Sequence, residues 1–229
     1  MICWVLVAGW LAGSSICGTK PLLAASATDY LQQGLQDREA GDFPAAIAAM
    51  QTAVALKPDY IPGRVNLGWT LHLAGNDRAA ADVLQQAAQL DPFYVKTFNA
   101  LGIVYLVNDD LASAVLAHTW ANWLQPDNEI AQYNLSLAYQ RLQQYDWAIA
   151  SAQTAAKLEP DNPHPLVALA IAQWSKGDQQ AARTAYQQAI DLDGRYSDRS
   201  FLDYLNEAGF SLEQIADSKR VLEAVRGGG

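Results

Sequence analysis

Along residues 27–196, apolar residues recur at helical spacing in stretches of about a dozen, broken by short polar turns. The turns AGDF (40–43), AGND (74–77), VNDD (107–110), QQYD (143–146) and SKGD (175–178) each separate an apolar stretch from a second, alanine-rich one. Apolar positions three and four apart mark amphipathic helices rather than strands, so the chain reads as a series of helix–turn–helix units. Pro58, Pro92, Pro126 and Pro160 follow one another at intervals of 34 residues, and Gly194 takes the next such position. Proline has no amide hydrogen and clashes with the preceding turn, so each one closes a second helix. Leu56, Leu90, Leu124, Leu158 and Leu192 stand two residues before these points, and Ala53, Ala87, Ala121, Ala155 and Ala189 five before. Ala46, Ala80, Ala114, Ala148 and Ala182 stand twelve before. Five units therefore run without insertion over 27–60, 61–94, 95–128, 129–162 and 163–196, and the recurring alanines and leucines are expected to face the core.

A unit of this length and grammar resembles the tetratricopeptide repeat. The family's small residue in the first helix matches Gly34, Gly68 and Gly102, with Ser136 and Ala170 in the last two units. The leucine before it matches Leu67, Leu101, Leu135 and Leu169, while Gln33 departs, and the aromatic three residues further on matches only Tyr105 and Tyr139. The resemblance implies an all-α fold, an α-solenoid (right-handed superhelix) of five helix–turn–helix repeats over 28–196. Residues 198–207 and 211–225 read as two more helices separated by Gly209, with Ser211 and Gln214 as a capping-box signature. They make 197–226 a C-terminal helical cap, which a solenoid needs because its last repeat otherwise exposes apolar surface. Residues 227–229 are expected to form a flexible tail.

The first 27 residues differ from the rest. Met1–Thr19 carries no charge and is nearly all apolar, and Ala25-Ser26-Ala27 supplies a small-x-small ending. That layout resembles a secretory signal cleaved near Ala27, although no Lys or Arg precedes the apolar run. The alternative is a retained anchor, because residues 2–19 as a helix would span roughly 27 Å, close to a hydrocarbon core. Ile16 before Cys17 argues against a lipoprotein. Export to a periplasm or thylakoid lumen is the expectation, with membrane contact through residues 2–19 as the alternative.

Composition narrows the function. About half the residues are apolar, and the formal charge is −9. Such an acidic chain lacks the basic face that a nucleic-acid binder uses to displace counterions. Both cysteines, Cys3 and Cys17, precede the repeats, so the repeats contain no disulfide or thiolate chemistry. His72, His118 and His164 fall in different units without metal-ligand spacing, and no phosphate loop or nucleophile elbow is present. The sequon-like Asn134-Leu135-Ser136 lies within an expected helix. No cofactor, metal or enzymatic activity is expected, and a protein or peptide partner is.

In the tetratricopeptide family the first helix of each unit lines a concave groove that holds extended peptides. Carried over, this implies a peptide-binding groove of Leu31, Gln32 and Leu35 (with Arg38), then Asn66, Trp69 and His72 (with Val65). It continues through Asn99 and Ile103 (with Lys96 and Leu106), then Tyr133, Asn134, Leu137 and Arg141. Trp174 closes it, beside His164, Val167 and Ile171. Leu31 and Leu35 stand where chaperone-adaptor repeats place Lys and Asn, so a carboxylate clamp is not expected. Gln32, Asn66 and Asn134 share one repeat position and could form an amide ladder for a peptide backbone. Asn at this position can equally bond its own backbone, and the inward aromatics can pack between helices.

The second helix of unit three stands apart. Leu116, Trp120 and Trp123 fall at i, i+4, i+7 on the side away from the alanines, where other units place Asp82, Gln86 and Gln89 or Thr184, Gln188 and Asp191. His118 and Asn122 stand on its core side, where a neutral His bonded to Asn is the simplest reading. Trp147 begins the next second helix and also faces out. Either these residues form an outer-face partner site, for a protein, a second copy or a membrane interface, or the helix is rotated and buries its tryptophans.

Overall fold

The computed structural model describes residues 25–227. Residues 1–24 and 228–229, with nearly all of the expected leader and most of the tail, lie outside the described residues. The described chain forms α1 (Ala27–Glu39), α2 (Phe43–Leu56), α3 (Ile61–Leu73), α4 (Asp77–Leu90), α5 (Val95–Val107) and α6 (Leu111–Leu124). Then follow α7 (Glu129–Arg141), α8 (Tyr145–Leu158), α9 (His164–Lys176) and α10 (Gln179–Leu192). Two 3-10 helices, Gly194–Ser197 and Phe201–Ala208, precede α11 (Leu212–Arg226). No strand occurs among the described residues, and the fold is the expected all-α solenoid with a helical cap.

Each second helix ends at the leucine two residues before the recurrent proline or Gly194. The leucines themselves correct the expectation of a core role. Leu56, Leu90, Leu158 and Leu192 are exposed and Leu124 is half-buried, because the last helical residue sits at the rim between units. The alanines behave as expected and are buried in all five units. Each hairpin turn places one residue in the left-handed region at the same register, namely Gly41, Gly75, Asp109, Gln143 and Gly177. Glycine adopts that conformation freely, whereas Asp109 (φ 68°) and Gln143 (φ 60°) carry a Cβ penalty.

Within a hairpin, the small residue of the first helix meets a larger one of the second. A Cβ on Gly34 would lie 2.7 Å from Met50 Cγ, one on Gly68 2.6 Å from Leu84 Cγ, and one on Gly102 2.5 Å from His118 Nε2. Met50, Leu84, His118, Ala152 and Tyr186 occupy one repeat position, 34 residues apart. Successive first helices also touch one another, α1 with α3 and so on to α9, while no comparable packing joins successive second helices. The first helices thus form the tight, concave layer and the second helices the splayed, convex one.

His118 is fully buried, and neither ring nitrogen has a hydrogen-bond partner. The expected bond to Asn122 is not formed, since Asn122 Oδ1 instead accepts from Gln132 Nε2 at 2.9 Å. Burial pushes the His118 pKa down to about 3, against a smaller opposing pull from the Gly102 backbone. The folded chain therefore binds this proton less readily than the unfolded chain, whose imidazole titrates near its ordinary value of 6.5. The stabilising difference is complete above that value and is lost as pH falls toward 3. Acidification from pH 7 to 5 should cost about 2 kcal/mol through this residue alone. His118→Leu, which copies Leu84 of unit two, should flatten that part of the stability curve in denaturant titrations at the two pH values. Equal slopes for variant and parent would refute the assignment. Gln143→Gly should relieve the left-handed strain and raise the melting temperature by about 1–4 °C, read by circular dichroism.

Candidate partner groove and outer face

The concave layer does not run open from end to end. At its N-terminal end Leu31 is buried, Gln32 is exposed and Leu35 packs on the core, while Arg38 reaches Thr70 Oγ1 at 3.4 Å. In unit two Val65 is buried and Asn66 and Trp69 are half-buried. His72 Nδ1 pairs with Asp77 Oδ1 at 2.5 Å, and its ring lies 5.1 Å from that of Trp69. In unit three Lys96 is exposed and Ile103 half-buried, whereas Leu106 is fully buried. Asn99 and Asn128 exchange amide bonds of 3.3 and 2.9 Å, and Asn128 also caps α7 through Ala131 N.

Units four and five are covered by the chain itself. The Tyr133 hydroxyl donates to Ala208 O at 2.6 Å, and burial raises its pKa well above the ordinary value. Gln214 Nε2 donates to Leu137 O at 3.1 Å and to Gln140 Oε1 at 3.0 Å. Leu137, Val167 and Ile171 are fully buried, and Trp174 packs against the same core, so none of these four offers groove surface to a partner. Arg141 is engaged too, donating to Leu106 O at 2.8 Å and pairing with Asp109, where it ties α7 to the end of α5. These residues correct the expected groove, because the cap covers the concave face of α7 and α9 as well as the last repeat. The Ser211–Gln214 capping box does form, and the same Gln214 side chain makes the contact with Leu137. The amphipathic run Leu202, Leu205 and Phe210 was the available signal, but no sequence pattern states which face it covers.

What remains open lies over α3 and α5. One cleft of about 440 Å³ is bounded by Val65, Asn66, Trp69, Lys96, Asn99 and Ile103. A second, of about 460 Å³, shares Trp69 and Ile103 and extends to His72, Tyr133 and Asn134, ending at Asn206–Gly209 of the cap. The amide ladder is half spent. Asn66 Nδ2 donates to Pro62 O at 2.9 Å and Asn134 Nδ2 to Ile130 O at 2.8 Å, which leaves carbonyl oxygens as the available groups.

The opposite face keeps the expected direction. Leu116, Trp120, Trp123 and Trp147 are exposed while His118 is buried, so α6 is not rotated. Trp120 stacks on Trp123, and Trp147 lies 6.2 Å from the ring of Tyr139. Among the described residues no group of three His, Cys, Asp or Glu side chains could hold a metal, and no helix is long and apolar enough to cross a membrane.

Two stretches match family models described as tetratricopeptide repeat, residues 37–101 and 133–197, together more than half of the chain. The small glutamine-rich tetratricopeptide repeat-containing protein 2 of Saccharomyces cerevisiae is 28% identical over 39% of this chain and 26% of its own length. The BBSome complex member BBS4 of Mus musculus is 25% identical over 81% of this chain and 36% of its own length. The chain thus spans about a third or less of the length of these curated relatives. Among solved structures, MamA (41-end) from Desulfovibrio magneticus RS-1 superposes with a TM-score of 0.68 at 20% identity, covering 73% of this chain and 94% of that one. The thermophilic tetratricopeptide protein TTC0263 of Thermus thermophilus gives 0.61 at 22%, covering 80% and 98%. These two likenesses concern the fold. Members of the matched family are in general scaffolds for protein interaction. With its repeated hairpins and both family matches, the chain belongs to the tetratricopeptide-repeat family.

Proposed function

We propose that this protein is a non-enzymatic scaffold that holds an extended segment of a partner protein across α3 and α5, in assembling a periplasmic or membrane complex. The observation that carries this reading is the pair of adjoining clefts that share Trp69 and Ile103. Their volumes fall within the usual range for pockets that bury a ligand. Trp69 and Ile103 supply the apolar ridge, and the free carbonyl of Asn66 supplies an acceptor for a peptide N–H. Lys96 stands at one end and Glu207 at the other, which gives the bound segment a preferred direction.

A peptide selected from a display library against the wild-type protein gives a probe for calorimetry. Trp69→Ala with Ile103→Ala should weaken its binding at least about ten-fold, as expected for central anchors. Leu137→Ala should leave the affinity unchanged while destabilising the fold by about 2–4 kcal/mol, since that side chain lies beneath the cap. A selected peptide that binds the double variant as tightly as the parent would refute the groove.

Export is part of the same proposal, with a cut near Ala27 and residence in a periplasm or thylakoid lumen. One observation favours the alternative of an anchor retained through residues 2–19, as in an assembly factor of a photosynthetic or other membrane complex. Ser26 caps α1 in a full capping box with Asp29, and a cut after Ala27 would remove that cap at a cost of roughly 1 kcal/mol. N-terminal sequencing of the native protein decides between them. Thr28 as first residue establishes the cut, and Met1 in a membrane fraction establishes the anchor.

A further inference from the structure

The convex layer is small or polar at the outward positions of its other helices, but not on α6. Leu116, Trp120 and Trp123 are 72%, 37% and 65% exposed. The Trp120 indole N–H donates to Pro92 O at 2.7 Å, which ties the Pro92–Phe93 turn to the stripe, and Phe93 is itself 65% exposed. Trp120 also meets Phe98 edge-on at 6.2 Å and stacks on Trp123 at 4.9 Å. These contacts fix the rings before any partner arrives, so docking immobilises few further side chains. The splay of the second helices leaves the stripe uncovered, since neither α4 nor α8 packs across it.

We infer that this face is the interface with a second copy of the chain, α6 against α6 about a two-fold axis. Area supports that occupant. On the usual burial scale of ~150–250 Å² per aromatic side chain, Phe93, Leu116, Trp120 and Trp123 present about 500 Å². A stable two-fold interface buries about 800 Å² per partner, of which about 65% is apolar, so the stripe supplies its apolar part. Charge supports it as well. The chain carries a formal charge of −9, yet the 14 residues of α6 include no charged side chain. An uncharged apolar face is complementary to itself, which is all that a two-fold contact requires. It lets two acidic chains meet on a contact helix without carboxylates, whereas an anionic bilayer would repel the rest of the molecule.

Sedimentation equilibrium of the full chain in density-matched detergent tests this, because residues 2–19 are then accommodated alike in every variant. The wild type should be dimeric at about 100 µM. Leu116→Lys with Trp123→Glu should raise the dimer dissociation constant at least about 100-fold, and Phe93→Ser should raise it by a smaller factor, both with unchanged melting curves. The groove variant Trp69→Ala with Ile103→Ala should stay dimeric, so a failed groove and a failed dimer are told apart. A monomeric wild type overturns the inference, as does a dimer that both outer-face variants leave intact. A monomer whose tryptophan emission is quenched by brominated phosphatidylcholine vesicles, and not in Trp123→Glu, also overturns it by assigning the face to a bilayer.

Discussion

One contact sets the geometry of each hairpin: a second-helix side chain pressed against the first-helix backbone at a fixed register. At Gly34, Gly68 and Gly102 there is no space for a Cβ, because Met50, Leu84 and His118 already occupy it. In unit four the same register holds Ser136 and Ala152, with Ser136 Oγ turned back onto Tyr133 O at 2.6 Å. In unit five Ala170 stands at the register of Tyr186. Close packing makes such positions interdependent, so a larger residue on one helix needs a smaller one on the other. Because every hairpin is built this way, successive hairpins stack with a constant offset. The concave groove and the splayed outer layer both follow from that offset.

The exception within this scheme is His118, a polar ring at the position that Met50 and Leu84 fill with apolar side chains. Its two ring nitrogens are buried without partners, a cost of order 1–3 kcal/mol that an apolar residue would avoid. The ring nevertheless fills the space over Gly102, and it stays neutral through the physiological range because burial depresses its pKa. The same helix carries the outward tryptophans. Both departures on α6 are opposite faces of one 14-residue segment, and the register of Leu124-Gln125-Pro126 assigns each to its side.

That register explains how much could be read in advance. Hairpin boundaries, buried alanines, turn positions and the direction of Trp120 and Trp123 are local consequences of a 34-residue period, so they are legible in the sequence. The exposure of Leu56, Leu90, Leu158 and Leu192 is a matter of packing at helix ends, which periodicity does not report. The amides of Asn66 and Asn134 could bond either a partner or their own helix, and the choice rests on side-chain torsions rather than residue type. The reach of the cap was hidden for a different reason. After Gly194 the period ends, the chain adopts two 3-10 helices, and its path depends on tertiary contacts with α7 that lie about 75 residues back in sequence.

Those contacts also decide what kind of groove the solenoid offers. Leu202, Leu205 and Phe210 are buried in the same core as Leu137, Val167 and Ile171, so removing the cap would expose a continuous apolar surface. Around them Gln140 bonds Ser175 Oγ at 3.1 Å and Gln214 at 3.0 Å, and it approaches Asp217 at 3.4 Å. Burial raises the Asp217 pKa, and pairing with Arg220 opposes that rise. Displacing the cap would break this network and expose its apolar support together, a cost that a single peptide segment does not repay. The cap is therefore a fixed wall rather than a lid, and it limits the groove to the part over α3 and α5. A partner segment must end, or turn outward, at Asn206–Gly209.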